Sequence, residues 1–167
     1  MSDADPQSTI PRSEILFVTD AQDCNPNGNP MNDNRPRRDP ETGQAIVTDV
    51  RLKRYLRDQL QDDGYEIYVK KLGGVSKPRT TLALDILGDI SDADDLDDIE
   101  DIGQRFLNTA TDVRYFGATL SFESSDDEEE ERLRNDLADA FPNNYQGPVQ
   151  FLPARSLNEV EENTEYD

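Results

Sequence analysis

The stretch DAQDCNPNGNPMNDNRPRRDPETGQAIVTDVRLKRYLRDQLQD, residues 20–62, decides how the amino-terminal half of this chain folds. It follows the apolar run ILFV, which predicts a buried, central strand over Glu14–Thr19. Asn, Pro and Gly then recur up to Ala45, and such density is typical of a long loop. Thr48 or Asp49 is suited to cap a helix that runs to about residue 62 and stops at Gly64.

This stretch also carries most of the basic charge of an acidic protein. Between Arg35 and Arg57 there are seven basic and three acidic residues, in a chain of net charge -20. Lys53 and Arg57 are four residues apart, so they share one edge of the helix with Thr48 at its amino-terminal end. Free N–H groups and the helix dipole favour phosphate there. The segment predicts an anionic partner, with a solvated basic face and a mobile surface loop as the plainer alternatives.

The spacing of apolar residues predicts five further elements downstream. They are a strand over Tyr65–Lys70, a helix over Ser91–Thr109, a strand over Val113–Phe122 with Phe116 in the core, a short helix after an acidic run with Leu133, Leu137 and Phe141 facing inward, and a last strand over Pro148–Leu152.

Composition limits the classes of protein that this chain can belong to. With no His and a single cysteine, Cys24, a zinc site and an internal disulfide are excluded. The absence of a long apolar run and of a signal-peptide pattern predicts a soluble, cytoplasmic protein without a membrane partner. The length of 167 residues suits one domain.

The acidic residues are distributed unevenly. The chain has 13 Arg but only 4 Lys, against 37 acidic residues. Residues 1–80 have a charge balance of -1, whereas residues 81–167 have -19. Excess acid with little lysine predicts a halophilic source; an acidic interaction protein or a partly disordered chain is the alternative. At about 1 M salt the Debye length is about 3 Å, so nucleic-acid binding would depend on short, direct contacts.

Several segments together resemble a known family. They are Asn25–Pro30, Ile46–Arg54, Asp112–Thr119, and Gly147–Phe151 followed by Arg155–Leu157. This pattern is similar to that of the Cascade backbone subunits of type I-B CRISPR systems, of haloarchaeal type, in a superfamily with a modified RRM core. The segments occur in the family's order, and the chain corresponds to an amino-terminal portion of the family's full length.

The resemblance implies a fold and a domain organisation. The expected class is α+β, with a modified RRM/ferredoxin-like core that has a long amino-terminal loop and is incomplete in this chain. Residues 1–13 are expected to form a flexible leader and residues 14–157 an RRM-like RNA-binding domain. An acidic insertion would lie at about 123–141, and residues 158–167 would form an acidic tail.

The resemblance also implies a function. The protein would be a CRISPR RNA-binding backbone subunit of a Cascade complex used in antiviral defence, holding the guide by its sugar-phosphate backbone, and not an enzyme. Its partners would be CRISPR RNA, target DNA through the guide, other copies of itself and other Cascade subunits, with no cofactor or metal. The RNA-binding residues would be Asn25, Asn27, Arg35, Arg37, Arg38, Thr48, Arg51, Lys53, Arg54, Arg57, Arg114 and Arg155.

Two other functions remain open from the sequence. Related type III backbone subunits cleave RNA with a loop aspartate, so a metal-dependent ribonuclease is an alternative. The loop aspartates that could act in this way are Asp20, Asp23, Asp33 and Asp39. A non-functional truncated form is the other alternative.

Overall fold

The computed structural model describes residues 11–70, 78–88, 90, 94–97, 99–122, 124 and 126–161. Over these residues the fold is α+β, as predicted, with six helices and three two-stranded antiparallel sheets. The strands are β1 (Gly28–Asn29), β2 (Arg35–Pro36), β3 (Gln44–Val47), β4 (Ala118–Thr119), β5 (Asn144–Tyr145) and β6 (Ala154–Glu159). The helices are α1 (Asp49–Asp62), α2 (Arg79–Leu87), α3 (Asp94–Asp97), α4 (Ile102–Thr109), α5 (Thr111–Phe116) and α6 (Glu128–Ala140).

Helix α1 matches the prediction at both ends. The Thr48 hydroxyl caps it by accepting the N–H of Arg51 at 3.3 Å. Gly64, at φ +86°, follows the end of the helix in a conformation that favours glycine. On this helix Leu52 is buried, whereas Leu56 remains exposed.

The buried residues of the main hydrophobic core are Tyr68 and residues between Leu82 and Phe141. Phe106 of α4 is at its centre, with its ring 5.3 Å from that of Tyr68 and 4.8 Å from that of Phe141. Helices α2, α5 and α6 pack around it. Helix α2 was not anticipated from the sequence. The residues 81–167 that carry the excess negative charge therefore also supply nearly all of the core.

Helix α6 has an acidic first turn and a buried apolar face. Asp127 caps it by accepting the N–H groups of Glu129 and Glu130. The acidic first turn lies near the positive end of the helix dipole, where carboxylates are favourable. Leu133 and Leu137 are buried in the core, so the predicted alignment of apolar residues is confirmed.

The predicted strand over Glu14–Thr19 is wrong for this structure. The segment has no regular structure, and Ile15 and Leu16 are 88% and 91% exposed. An apolar run becomes a buried strand only when another strand pairs with it, and no such partner is present among the described residues.

Three other strand predictions are also wrong. Tyr65–Lys70 is irregular, and consecutive Ile67 and Tyr68 are both buried instead of alternating. In place of the strand over Val113–Phe122, the chain forms α5 and the two-residue strand β4. Pro148–Leu152 is irregular, and the last strand, β6, comes after it.

The helix predicted over Ser91–Thr109 is divided. The described part of this range forms α3 and α4, and the side chain of Asp101 caps α4 by accepting the N–H of Gln104 at 2.8 Å. Residues 91–93 and 98 lie outside the described residues, as do residues 1–10 of the predicted 1–13 leader and residues 162–167 of the predicted acidic tail.

Two of the family-like segments contact each other through backbone. Strand β4 pairs with β5, and the N–H of Val149 donates to the carbonyl of Tyr115 at 2.9 Å. A Cβ added at Gly117 would lie 2.3 Å from the carbonyl oxygen of Tyr145. At Gly147 it would lie 2.3 Å from the carbonyl oxygen of Tyr115. Both positions therefore need glycine for close approach. Phe116, which is buried as predicted, packs on Phe151 across the same junction.

Candidate nucleic-acid interface

The Asn-rich loop is held in a defined conformation by its own side chains. The Asn25 amide donates to the carbonyl of Asn34 at 2.6 Å, across the β1–β2 hairpin. Asn27 is buried and donates to the carbonyl of Ile46 at 3.3 Å and to the Thr48 hydroxyl at 3.4 Å. These asparagines therefore position the loop on the start of α1.

Helix α1 fixes the same loop from the other side. The carbonyl of Pro26 accepts the Nε–H of Arg51 at 3.3 Å and the hydroxyl of Tyr55 at 2.5 Å. The Arg51 guanidinium also lies over the Tyr55 ring, 4.5 Å from its centroid. Asn27, Thr48 and Arg51, all predicted to bind RNA, are thus brought together, and each already makes a contact that maintains the loop.

The remaining basic residues of α1 are engaged within the chain. Lys53 pairs with Asp49 at 3.8 Å. Arg54 donates to the carbonyl of Val69 at 2.7 Å and pairs with Asp58 at 2.5 Å. The helix is therefore not a free basic face.

Arg57 has a role that differs from the predicted one. Its Nε–H donates to the carboxylate of Asp112 at 2.8 Å, and both side chains are buried. The same carboxylate accepts the N–H groups of Tyr68 at 2.7 Å and Val69 at 3.1 Å. The Arg57 guanidinium lies 5.4 Å from the centroid of the Phe116 ring. Arg57 joins α1 to the core and does not face a nucleic-acid ligand, so it is removed from the candidate interface.

Among the predicted RNA-binding residues, the basic ones whose side chains have no partner in the described part of the chain are in the arginine run, Arg35–Arg38. Arg35 and Arg38 are exposed, and neither side chain makes a hydrogen bond or ion pair within the described part of the chain. Arg37 is half-buried, and its Nε has no hydrogen-bond partner among the described residues. Guanidinium groups bind phosphate through two parallel N–H bonds, so open ones suit an RNA backbone.

The backbone of the arginine run is fixed between neighbouring segments. The N–H of Arg37 donates to the carbonyl of Asn27 at 3.1 Å, and its carbonyl accepts the N–H of Ile46 at 2.8 Å. Arg38 forms a bridge with Ala45 of β3. Ile46 in turn pairs with Arg155 of β6. Arg37 and Arg155 are therefore two strand spacings apart, roughly 10 Å.

Arg155 is exposed and paired with one residue of the loop. Its Nη1 donates to the carboxylate of Asp39 at 2.7 Å, over a separation of 116 residues in the chain. The hydrogen bond from Arg155 is the main cause that lowers the pKa of Asp39 below its ordinary value of 3.8, and the N–H groups of Glu41 and Thr42 lower it further.

This pair predicts a pH dependence. Because the pKa of Asp39 is lowered in the folded state, the pair stabilises the fold above the ordinary pKa and stops doing so as the pH falls through the lowered value. We expect the unfolding midpoint of Arg155→Ala to lie below that of the wild type at neutral pH and to converge with it in strong acid. Denaturant titrations of both proteins across this range measure the gap; a gap of constant size would contradict the assignment.

Arg114, another predicted RNA-binding residue, lies in the last turn of α5. Its guanidinium is 5.4 Å from the centroid of the Tyr115 ring, and one nitrogen donates to the carbonyl of Asn108 at 3.4 Å. It is on a helix and not on the strand that the sequence suggested.

The loop aspartates do not converge. Asp23 and Asp33 are exposed and adopt positive φ angles of 52° and 46°. Asp39 is engaged with Arg155. Within the described ranges, no three His, Cys, Asp or Glu side chains are placed to hold a metal ion together.

Two functional positions were missed by sequence reasoning. Asp112 was quoted only as part of a family-like segment, although an acidic residue beside Val113 and Phe116 in an apolar stretch signals a buried partner. Asp39 was considered only as a possible nuclease residue. Nothing local in the sequence points from Asp39 to Arg155, because their contact depends on the pairing of β3 with β6.

Comparison with known proteins identifies the family. The family profile described as CRISPR-associated protein Cas7 matches residues 11–166. A CRISPR-associated protein Cas7 from Haloferax volcanii is 69% identical over 160 residues, covering 96% of this chain and 47% of its own length. The chain belongs to the Cas7 family of CRISPR-associated proteins and is similar to a haloarchaeal member. It spans about half the length of that relative.

The resemblance found in the sequence segments is thus confirmed at the level of the family. Among the helices that the structure describes, none is long and apolar enough to cross a bilayer.

Proposed function

We propose that this protein takes part in a type I-B Cascade complex as a backbone subunit that holds CRISPR RNA by its sugar-phosphate chain. Family membership supports a role in a CRISPR complex. The observation that carries the RNA-binding part is the arginine run, which presents open guanidinium groups on a backbone fixed between Asn27 and β3. Sequence would then be read by the guide, and the protein would recognise the shape of its backbone.

The proposed interface is smaller than the sequence implied. Its direct contacts are Arg35, Arg37, Arg38 and Arg155, which are open or partly open to solvent. Asn27, Thr48 and Arg51 have an indirect role in it, because their hydrogen bonds fix the loop to α1. Asn25 closes the hairpin that carries Arg35. Lys53 and Arg54 are secondary candidates, because an approaching phosphate would have to displace Asp49 or Asp58.

Short contacts are the ones that would operate in concentrated salt. At about 1 M salt the Debye length is about 3 Å, so a distant charge contributes little to affinity. A guanidinium in direct contact with phosphate is screened much less, because salt ions cannot enter between the two groups. A halophilic setting therefore favours a few fixed arginines over a diffuse basic surface.

The other parts of the proposal follow from the family. We propose that the protein acts in the cytoplasm and that its partners are CRISPR RNA, target DNA through the guide, further copies of itself and other Cascade subunits. The role is binding and not catalysis, which the engagement of Asp39 by Arg155 supports. We also propose that residues 14–157 belong to a modified RRM/ferredoxin-like domain.

The test removes the arginine run. Arg35→Ala/Arg37→Ala/Arg38→Ala is expected to weaken binding of single-stranded RNA by about 10- to 100-fold at about 1 M KCl, because three solvent-exposed contacts of roughly 0.5–1 kcal/mol each sum to roughly 1.5–3 kcal/mol. Fluorescence anisotropy with a labelled RNA measures the change.

A variant with the same change in net charge is the control. Arg105→Ala/Arg132→Ala/Arg134→Ala removes three positive charges from the acidic half, on α4 and α6. We expect it to bind RNA like the wild type. Equal losses in both triple variants would show that net charge and not the arginine run determines affinity, and cleavage of the RNA in Mn²⁺ or Mg²⁺ would favour the nuclease alternative.

A further inference from the structure

Asp39 is a fixed residue in the turn that leads into β3. One oxygen of its carboxylate accepts the N–H of Glu41 at 3.0 Å and that of Thr42 at 3.3 Å. Its own N–H donates to the carbonyl of Gln44, and its carbonyl accepts the N–H of Gly43, both at 2.9 Å. Backbone and side chain are thus held together, so the second carboxylate oxygen has a defined position.

That second oxygen holds Arg155 by one of its terminal nitrogens. The contact is 2.7 Å, and the side chain of Arg155 stays 53% exposed. A guanidinium has five N–H donors, so one hydrogen bond to Asp39 leaves the others available. No other side chain or carbonyl in the described part of the chain engages them. Arg155 is therefore oriented without being covered.

We propose that Asp39 is a positioning residue for RNA binding: it fixes the guanidinium of Arg155 so that the open N–H groups meet a phosphate beside the arginine run. This inference rests on the proposed function. A free arginine on a strand samples many rotamers and loses them on binding, whereas one already held by a carboxylate loses fewer. The lowered pKa of Asp39 keeps the carboxylate ionised at any physiological pH.

Positioning and simple charge repulsion predict opposite changes in RNA affinity when the Asp39 carboxylate is removed. A carboxylate near a polyanion repels it, so removal of that carboxylate should strengthen RNA binding if charge alone matters. If Asp39 positions Arg155, its removal weakens binding even though a negative charge has been removed. Asp39→Asn suits this test, because the amide oxygen can still accept the N–H groups of Glu41 and Thr42 and preserve the turn.

Glu41 provides a matched control. It lies two residues from Asp39 in the same turn, and its side chain is exposed and makes no hydrogen bond or ion pair within the described ranges. Glu41→Gln therefore removes the same charge from almost the same place without affecting Arg155. Arg155→Ala provides the background in which Asp39 has nothing to position.

The experiment measures binding of a labelled single-stranded RNA by anisotropy at about 1 M KCl, where long-range repulsion is screened. We expect Asp39→Asn to weaken binding by about 3- to 10-fold, the loss of part of one charge-assisted contact. Glu41→Gln should bind as the wild type does, and Asp39→Asn should cause no further loss in the Arg155→Ala background. Denaturant unfolding of each variant checks that the fold is retained.

The outcomes distinguish this inference from the proposed function. If the wild type binds RNA but Asp39→Asn binds equally well or more tightly, the positioning role is overturned and the proposed function stands. An equal loss in the Arg155→Ala background would also overturn it, because Asp39 would then act independently of Arg155. If the wild type does not bind RNA at all, the proposed function itself fails. Added guanidinium ion can stand in for the missing Arg155 side chain. If it restores RNA binding to Arg155→Ala but not to the double variant Asp39→Asn/Arg155→Ala, the positioning role is supported.

Discussion

Arg57→Ala is expected to lower the free energy of unfolding by about 3–5 kcal/mol, because it leaves a buried carboxylate without its counter-charge. Asp112 has no exposed surface and would retain only the two N–H groups of Tyr68 and Val69. These two bonds place the result toward the lower end of the range. Urea titration of the wild type and the variant at one fixed high salt concentration measures the difference.

Two controls identify the cause. Lys53→Ala removes a cation of the same helix from a partly exposed pair with Asp49 and is expected to cost less than about 1 kcal/mol. Arg57→Met with Asp112→Asn removes both charges but keeps an amide oxygen that can accept a backbone N–H of Tyr68 or Val69, so it should recover part of the stability lost in Arg57→Ala. A small effect of Arg57→Ala, similar to that of Lys53→Ala, would show that the pair does not connect α1 to the core.

Gly117→Ala is expected to lower the free energy of unfolding by about 2–5 kcal/mol, the sum of backbone strain and a steric clash. Gly117 has a φ angle of 77°, and an added Cβ would lie 2.3 Å from the carbonyl oxygen of Tyr145. Because that oxygen belongs to backbone, it cannot rotate away as a flexible side chain could. The substitution should separate β4 from β5. Thermal or denaturant unfolding measures the loss.

Other glycines separate the two contributions. Gly64 has a φ angle of 86° and no atom within 4 Å of an added Cβ, so Gly64→Ala reports strain alone, about 1–2 kcal/mol. In Gly147→Ala the Cβ meets the Tyr115 carbonyl oxygen at 2.3 Å without a positive φ, so this variant reports the clash alone. If Gly117→Ala is no more destabilising than Gly64→Ala, the close contact between the two segments is not formed in solution.

Local signals in the sequence predicted local structure well. Helix α1 could be placed because its capping residue, Thr48, and the glycine that follows its end, Gly64, both lie next to it in the sequence. The inward face of α6 was predictable for the same reason. The strands could not be placed, because an apolar segment such as Ile15–Val18 becomes a strand only in the presence of a partner that its own residues do not specify.

The candidate site was predictable only in part. The loop arginines could be singled out from charge alone, and they remain the open ones. The charge pattern of α1 was misleading, because Arg57 and Asp112 are 55 residues apart and their pairing depends on how α1 packs on α5. Asp39 and Arg155, 116 residues apart, escaped notice for the same reason. Burial of its ion pair makes Arg57 a structural residue, whereas Arg155 stays exposed beside its partner.

The burial of the Arg57–Asp112 pair has a consequence for stability in concentrated salt. Dissolved ions weaken attractions at the surface, yet they cannot reach a pair from which water is excluded. The attachment of the arginine-bearing loop and α1 to the apolar half should therefore keep its strength from dilute buffer to saturated salt. Salt does screen the repulsion among the acidic residues of the second half. A lower salt concentration should therefore destabilise the core before it breaks the attachment of α1.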